Sequence, residues 1–192
     1  MVLSPPAPAL EVPGLEQAYE DCRVETERWA KTFYLGTLLM PPAKRRAIWA
    51  IYVWCRRTDE LMDSPEAQAL PVAELSARLD AWEQRTRELF AGQVRDGLDR
   101  VMADVIEHYP QPLEAYLEMI EGQRMDLAKH RYADFAELKQ YCFRVAGTVG
   151  LMTQEVMGLD PAYTTAPWSE RPDTSEAAVA LGIANQLTNI LR

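Results

Sequence analysis

Ala43-Lys44-Arg45-Arg46-Ala47-Ile48-Trp49-Ala50-Ile51-Tyr52-Val53-Trp54-Cys55-Arg56-Arg57-Thr58-Asp59-Glu60-Leu61-Met62-Asp63 decides how this chain folds. The run has no Gly and no internal Pro; Pro41-Pro42 precede it and Ser64-Pro65 close it. It therefore predicts one long helix, opened by a proline whose missing N–H costs nothing in a first turn. At about 100° per residue, Tyr52, Arg56, Asp59 and Asp63 fall near 0°, 40°, −20° and 20°, a band about 60° wide. Much of the rest of the helix is apolar, so the stripe is expected to face a cavity within the protein. Two carboxylates one turn apart repel by roughly a few tenths of a kcal/mol on an exposed helix, and by more when desolvated. A hard divalent cation turns that repulsion into a binding site, because magnesium takes one or two Asp oxygens, several waters and phosphate oxygens. Arg56 adds forked donors for a diphosphate, and Tyr52 adds a hydroxyl and a ring face. The four together suit a metal-bridged diphosphate. The Asp spacing alone is also that of an ordinary solvated face.

Outward from this helix, apolar spacing predicts helices over 15–39, 72–90, 98–108, 113–129 and 135–157, with a last one from Ser175. Leu75, Leu79, Trp82 and Leu89 give the 72–90 segment one apolar face. Prolines at 5, 6, 8 and 13 mark residues 1–14 as a flexible lead-in, and the stretch 158–174 reads as a loop. No alternating strands and no repeats are present, so the fold class is all-α, with 15–192 as a single helical domain. Asn185 to Arg192 carries no capping glycine or proline, so the last helix reads as cut rather than finished.

The chain has 192 residues, 48% hydrophobic and 26% charged, which is an ordinary globular composition. Acidic residues outnumber basic ones by 29 to 20, giving a net charge of −9 that disfavours nucleic acid as a partner. Cys22, Cys55 and Cys142 lie far apart without metal-ligand spacing, which points to a reducing compartment. The N-terminus has no signal-peptide pattern, and no run is long enough for a membrane span. The expected location is cytoplasmic or peripheral to a membrane.

Several motifs resemble the phytoene and squalene synthase family of head-to-head prenyl transferases. They are Ala30-Lys31-Thr32-Phe33, Ala47-Ile48-Trp49-Ala50-Ile51-Tyr52, Cys55-Arg56-Arg57-Thr58-Asp59-Glu60, Gly122-Gln123-Arg124-Met125-Asp126-Leu127, the run from Tyr141 to Gly150, and Asn189-Ile190-Leu191-Arg192. The match runs from about Tyr19 to Arg192, and the Arg-Met-Asp-Leu and Arg-Arg-Thr-Asp-Glu runs look most like the phytoene-forming branch. The resemblance implies an isoprenoid-synthase-type helical bundle. It implies condensation of two geranylgeranyl diphosphates, through a cyclopropyl diphosphate, to phytoene, as in carotenoid biosynthesis. By the same likeness Asp59 and Asp63 bind Mg²⁺ (Mn²⁺ as a substitute), and Asn189 is a further metal ligand. Tyr52 and Arg56 match substrate-binding positions, as do Ala30, Lys31, Thr32, Phe33, Gln186 and Arg192. Tyr141, Val145 and Val149 match the lining of the hydrocarbon channel, and in its motif context Asp126 is read as facing the cavity. The family continues past the Asn-Ile-Leu-Arg run into a second aspartate-rich motif. The chain is therefore expected to be a C-terminally truncated, inactive fragment.

Two other functions remain open at this stage: a squalene or dehydrosqualene synthase using farnesyl diphosphate, and a non-catalytic helical assembly factor. The joint presence of Arg56, Asp59, Asp63, Gln186 and Asn189 argues against the latter. Peripheral membrane contact follows from greasy substrates and products. Lys44-Arg45-Arg46 reads as a solvated first turn, with anion steering or a membrane surface as the sharper option. His108 and His130 are expected to be structural or surface residues. Trp29, Trp49, Trp54 and Trp82 are expected in the core, Glu114, Glu118 and Glu121 on an exposed acidic face, and Gly147 and Gly150 where a helix or ligand approaches closely.

Overall fold

The computed structural model describes residues 13–129, 131–158 and 174–191. The lead-in up to residue 12, His130, the interior of the 158–174 loop and Arg192 lie outside the described residues. All regular elements among those described are helical: α1 (Leu15–Trp29), α2 (Lys31–Thr37), α3 (Pro42–Asp63), α4 (Pro65–Gln68), α5 (Val72–Phe90), α6 (Gly97–His108), α7 (Leu113–Ala128), α8 (Phe135–Cys142), a π-turn (Phe143–Gly147), α9 (Thr148–Met157) and α10 (Ser175–Ile190).

α3 is the axis of the bundle, packing against α1, α5, α6, α7 and α9. Its core face carries Ile48, Ile51 and Trp54, all essentially fully buried. Trp54 stacks on Trp82 of α5 with ring centroids 5.8 Å apart and meets the edge of Tyr116 of α7 at 4.7 Å. Aromatic contacts of this kind add about 0.5–1.5 kcal/mol beyond burial. The buried indoles are satisfied by threonines. Trp82 Nε1–H donates to Thr58 Oγ1 at 2.8 Å, whose own hydroxyl donates to the Trp54 carbonyl at 3.0 Å. Trp49 Nε1–H donates likewise to Thr37 Oγ1 at 2.8 Å. Leaving such an indole unpaired costs about 1–3 kcal/mol, so the two indole–threonine pairs fix the register of α2 and α5 against α3.

Three features depart from the sequence reading. The expected 15–39 helix is two helices, broken at Ala30 (φ −138°, ψ 59°), whose N–H closes α1 on the Thr26 carbonyl and whose carbonyl opens α2 by accepting from Tyr34 N–H. The bend brings side chains of α2 onto α3, with Phe33 5.5 Å from Tyr52 and Tyr34 5.6 Å from Trp49. It leaves Trp29 49% exposed rather than in the core; Trp49, Trp54 and Trp82 are buried as expected. The 135–157 segment is interrupted by the π-turn, whose widened backbone is a common device at functional sites. Glu114 is exposed, but Glu118 and Glu121 are engaged: Arg144 pairs with Glu118 at 2.9 Å and Arg124 with Glu121 at 3.4 Å.

α10 crosses the π-turn and α9 at two glycines. A Cβ on Gly182 would stand 2.2 Å from the Ala146 carbonyl oxygen, and one on Gly150 would stand 2.3 Å from that of Ala178. No larger residue fits either place, so the close approach expected at Gly150 is realised, with Gly182 as its counterpart on the crossing helix. This crossing sets the width of the space between α10 and α3.

Candidate active site

That space is a cleft of about 670 Å³, within the range of about 300–1,000 Å³ typical of ligand pockets. α3 supplies Ile48, Ile51, Tyr52, Cys55 and Asp59 along one wall, a run of about 16 Å of helix. Val145 and Ala146 of the π-turn and Val149 of α9 form the opposite side, and α10 contributes Ala178, Leu181, Gly182 and Asn185. Phe33 of α2 closes one flank beside Tyr52. The lining is overwhelmingly apolar, with Asp59 as its one carboxylate among the described residues.

Asp59 sits at the end of the cleft formed by the last turns of α3. It accepts a 2.8 Å hydrogen bond from Gln123 Nε2 of α7. Burial pushes its carboxyl from 3.8 up to about 7, and the negative charges of Asp63 and Asp126 add to the rise; Arg56 and the Gln123 hydrogen bond oppose it. Asp63 and Asp126 therefore add negative charge near Asp59, which Arg56 and Gln123 offset only in part. Asp63 lies one turn beyond Asp59, exposed and outside the cleft wall. Asp126 accepts from the Tyr141 hydroxyl at 3.0 Å, and Tyr141 stacks on Tyr132 at 5.0 Å. Among the described residues no group of three or more His, Cys, Asp or Glu side chains is placed to hold a metal ion.

Arg56 is half-buried, with its guanidinium 4.3 Å above the Trp29 ring and its Nε–H donating to Glu60 at 3.1 Å. The exposed indole is thus a platform for Arg56, a cation–π contact worth about 0.5–1 kcal/mol where solvent reaches it. Tyr52 lines the cleft, and burial raises the pKa of its phenol.

The residues named from sequence fall into two sets. Tyr52, Asp59, Phe33, Val145 and Val149 line the cleft, and Arg56, Asp63, Asp126 and Tyr141 gather around its acidic end or just outside its wall. Ala30 is the half-buried hinge between α1 and α2, with Lys31 and Thr32 exposed after it. Gln186, half-buried, and Asn189, exposed, stand on α10 away from the lining; Arg192 is outside the described residues. Sequence reasoning missed Gln123, Cys55 and Asn185. Gln123 adjoins Asp126 in the quoted motif, and Asn185 lies one helical turn before Asn189, so a face-by-face reading of α7 and α10 would have found both.

Comparisons with known proteins bear on this geometry. The profile described as squalene/phytoene synthase matches residues 26–192. The 15-cis-phytoene synthase of Synechococcus elongatus is 56% identical over 190 residues, covering 98% of this chain and 60% of that protein. Phytoene synthase 1, chloroplastic, of Arabidopsis thaliana is 54% identical over 179 residues, covering 93% of this chain and 40% of that protein. In structure, a dehydrosqualene synthase crystallised with ligand aligns with a TM-score of 0.75 at 30% identity, over 92% of this chain and 56% of that one. The squalene synthase HpnC from Alicyclobacillus acidocaldarius gives the same TM-score at 28% identity, over 91% and 60%. The chain thus spans about 60% or less of the length of these relatives. A profile match over most of its residues, on an all-α scaffold shared with solved relatives, makes it a member of the squalene/phytoene synthase family.

Proposed function

We propose that the cleft serves the head-to-head condensation of two geranylgeranyl diphosphates to phytoene, through a cyclopropyl diphosphate. The carrying observation is the acidic group around Asp59 at one end of a long apolar cleft. The likeness to phytoene synthases, well above that to the solved squalene and dehydrosqualene synthases, supports the C20 substrate. Asp59 and Asp63 suit Mg²⁺, or Mn²⁺ in its place: the excess negative charge around Asp59 wants a cation, and two carboxylates with waters and phosphate oxygens are enough for it. Asn189 is the further ligand this reading assigns. Bound there, the ion supplies Lewis-acid stabilisation of the leaving diphosphate.

The chain's own residues do the rest. Arg56, braced by Trp29 and Glu60, presents its remaining N–H donors to the diphosphate. Gln123 holds one oxygen of Asp59 and leaves the other free. Phe33, Ile51, Val145, Val149 and Leu181 wall the hydrocarbon and keep water from an allylic cation, toward which the Tyr52 ring offers its π face. Lys31, Thr32, Gln186 and Arg192 are assigned to the substrate's polar end, and Tyr141 to the channel through its contact with Asp126. Condensing farnesyl diphosphate is the second reading, favoured by the two solved structures. The 192 residues alone, spanning 60% or less of their relatives, are proposed to be inactive.

The test is product analysis of the protein carrying this chain at its relatives' full length, given C15 and C20 diphosphates with and without Mg²⁺. Phytoene from the C20 substrate, dependent on Mg²⁺ and reduced about 10³-fold in Asp59→Asn, is expected. C30 products alone would overturn the substrate assignment. Undiminished turnover in Asp59→Asn would overturn the metal site.

A further inference from the structure

Residues 32–43 contain no charged side chain, in a chain that is 26% charged. They end in a turn between α2 and α3 that holds its apolar side chains out: Leu39 is 92% exposed, Leu35 54% and Leu38 41%. Pro41, Pro42 and Ala43 are exposed with them. Cations bracket the turn, Lys31 before it and Lys44, Arg45 and Arg46 after it, and no acidic residue occurs between Lys31 and Thr58 although the whole chain carries −9. Lys31 is exposed and Lys44, Arg45 and Arg46 are half-buried, Arg46 held by Glu16 at 2.7 Å and Arg45 lying 5.8 Å from the centre of the Trp49 ring.

The turn adjoins the end of the cleft farthest from Asp59. Lys44 Nζ donates to the carbonyl of Met157, and Met157 lines the cleft while half exposed. Asp59 stands at the opposite end of α3. The cleft therefore runs from Asp59 at one end to Met157 at the other, beside an exposed leucine turn.

We propose that the turn Leu38–Ala43 docks on an anionic lipid bilayer, its leucines at the acyl boundary and its flanking cations on the headgroups. Exposed leucines between cationic flanks match that boundary, where apolar burial and attraction to anionic lipid act together. Docked in this way, the Met157 end of the cleft stands beside the phase in which long hydrocarbons dissolve. The chain needs no spanning segment for this: no helix among the described residues is long and apolar enough to cross a membrane. Docking does not depend on the reaction proposed above, so binding of substrate-free vesicles and product analysis fail separately.

The test is co-sedimentation of the 192-residue chain with phosphatidylcholine vesicles and with equimolar phosphatidylcholine–phosphatidylglycerol vesicles, at low and high salt. The expected result is partition into the anionic vesicles roughly tenfold above the neutral ones, weakening with salt. A roughly tenfold loss is expected in Leu38→Ser/Leu39→Ser. Leu39→Ser alone, at a side chain that touches little, is expected to fold normally and fall between the two. Three results would overturn the proposal: no partition into either vesicle, equal partition of wild type and both variants, or lipid-free self-association that the double variant abolishes. The last would give the face to a second copy of the chain.

Discussion

Asp99 of α6 and Asp59 of α3 are both carried inward on helices, and their surroundings treat them in opposite ways. Asp99 is 2% exposed and fully compensated: Arg85 reaches it with Nε at 3.1 Å and Nη2 at 2.9 Å, and the Arg95 N–H donates at 3.0 Å. Asp96, the N-cap of the same helix, shares Arg85; its bonds to Arg85 and the Asp99 N–H outweigh burial and hold its carboxyl below the usual range. Asp59 has one neutral donor, Gln123, and the charge of Arg56, set against burial and two further acids. At Asp59 the charge of Arg56 and the Gln123 hydrogen bond only partly offset burial and the neighbouring acids. The contrast separates an acid that holds the fold together from one kept ready for a positive charge from outside.

The contrast breaks most visibly at Asp99. Asp99→Ala leaves Arg85 with Asp96 as its carboxylate partner and the Arg95 N–H without its acceptor, and is expected to lower the unfolding free energy by about 2–3 kcal/mol in urea titration. A loss below about 1 kcal/mol would put Asp99 among ordinary surface acids. Asp59→Asn is expected to act in the other direction: without divalent cations at pH 8 it removes an uncompensated charge and raises stability by about 1–2 kcal/mol.

The pH dependence sharpens the second case. The folded state raises the Asp59 pKa to about 7 from 3.8, so folding favours its protonated form. Its stabilising contribution is fully present below about pH 4 and is lost as pH rises through 7. The gap between Asp59→Asn and wild type is therefore expected to be near zero at pH 4, to open between pH 4 and 7, and to stay level above about pH 8. Urea titrations across that range check it, and a gap independent of pH would remove the charge explanation. The smallest effect is at Gln123. Gln123→Leu deletes a hydrogen bond that favours the ionised carboxylate, and is expected to move the Asp59 titration upward by up to about one pH unit, followed by carboxyl carbon NMR.

Much of this was legible because α3 states its pattern openly. Proline marks its start, serine–proline its end, and every fourth or third residue along one stripe is polar. The stripe's inward direction was readable as far as Asp59; Asp63 falls past the end of the cleft because the helix stops there. The break at Ala30 carried no Gly or Pro and was unreadable locally, since it is made by packing Phe33 and Tyr34 onto α3. Trp29 was misplaced for the same reason. The π-turn also left no mark, because Phe143–Gly147 has the composition of an ordinary helical turn. Gln123 shares a face of α7 with Asp126 and so was within reach of a reading by faces, but its partner Asp59, 64 residues away, was not.

The most direct test of a cation-hungry Asp59 is the thermal unfolding midpoint of the chain at pH 8, titrated with MgCl₂. Wild type is expected to rise by a few degrees, roughly 2–4 °C at 10 mM, while Asp59→Asn starts higher and does not respond. Equal responses in the two proteins, or none in wild type, would contradict the account.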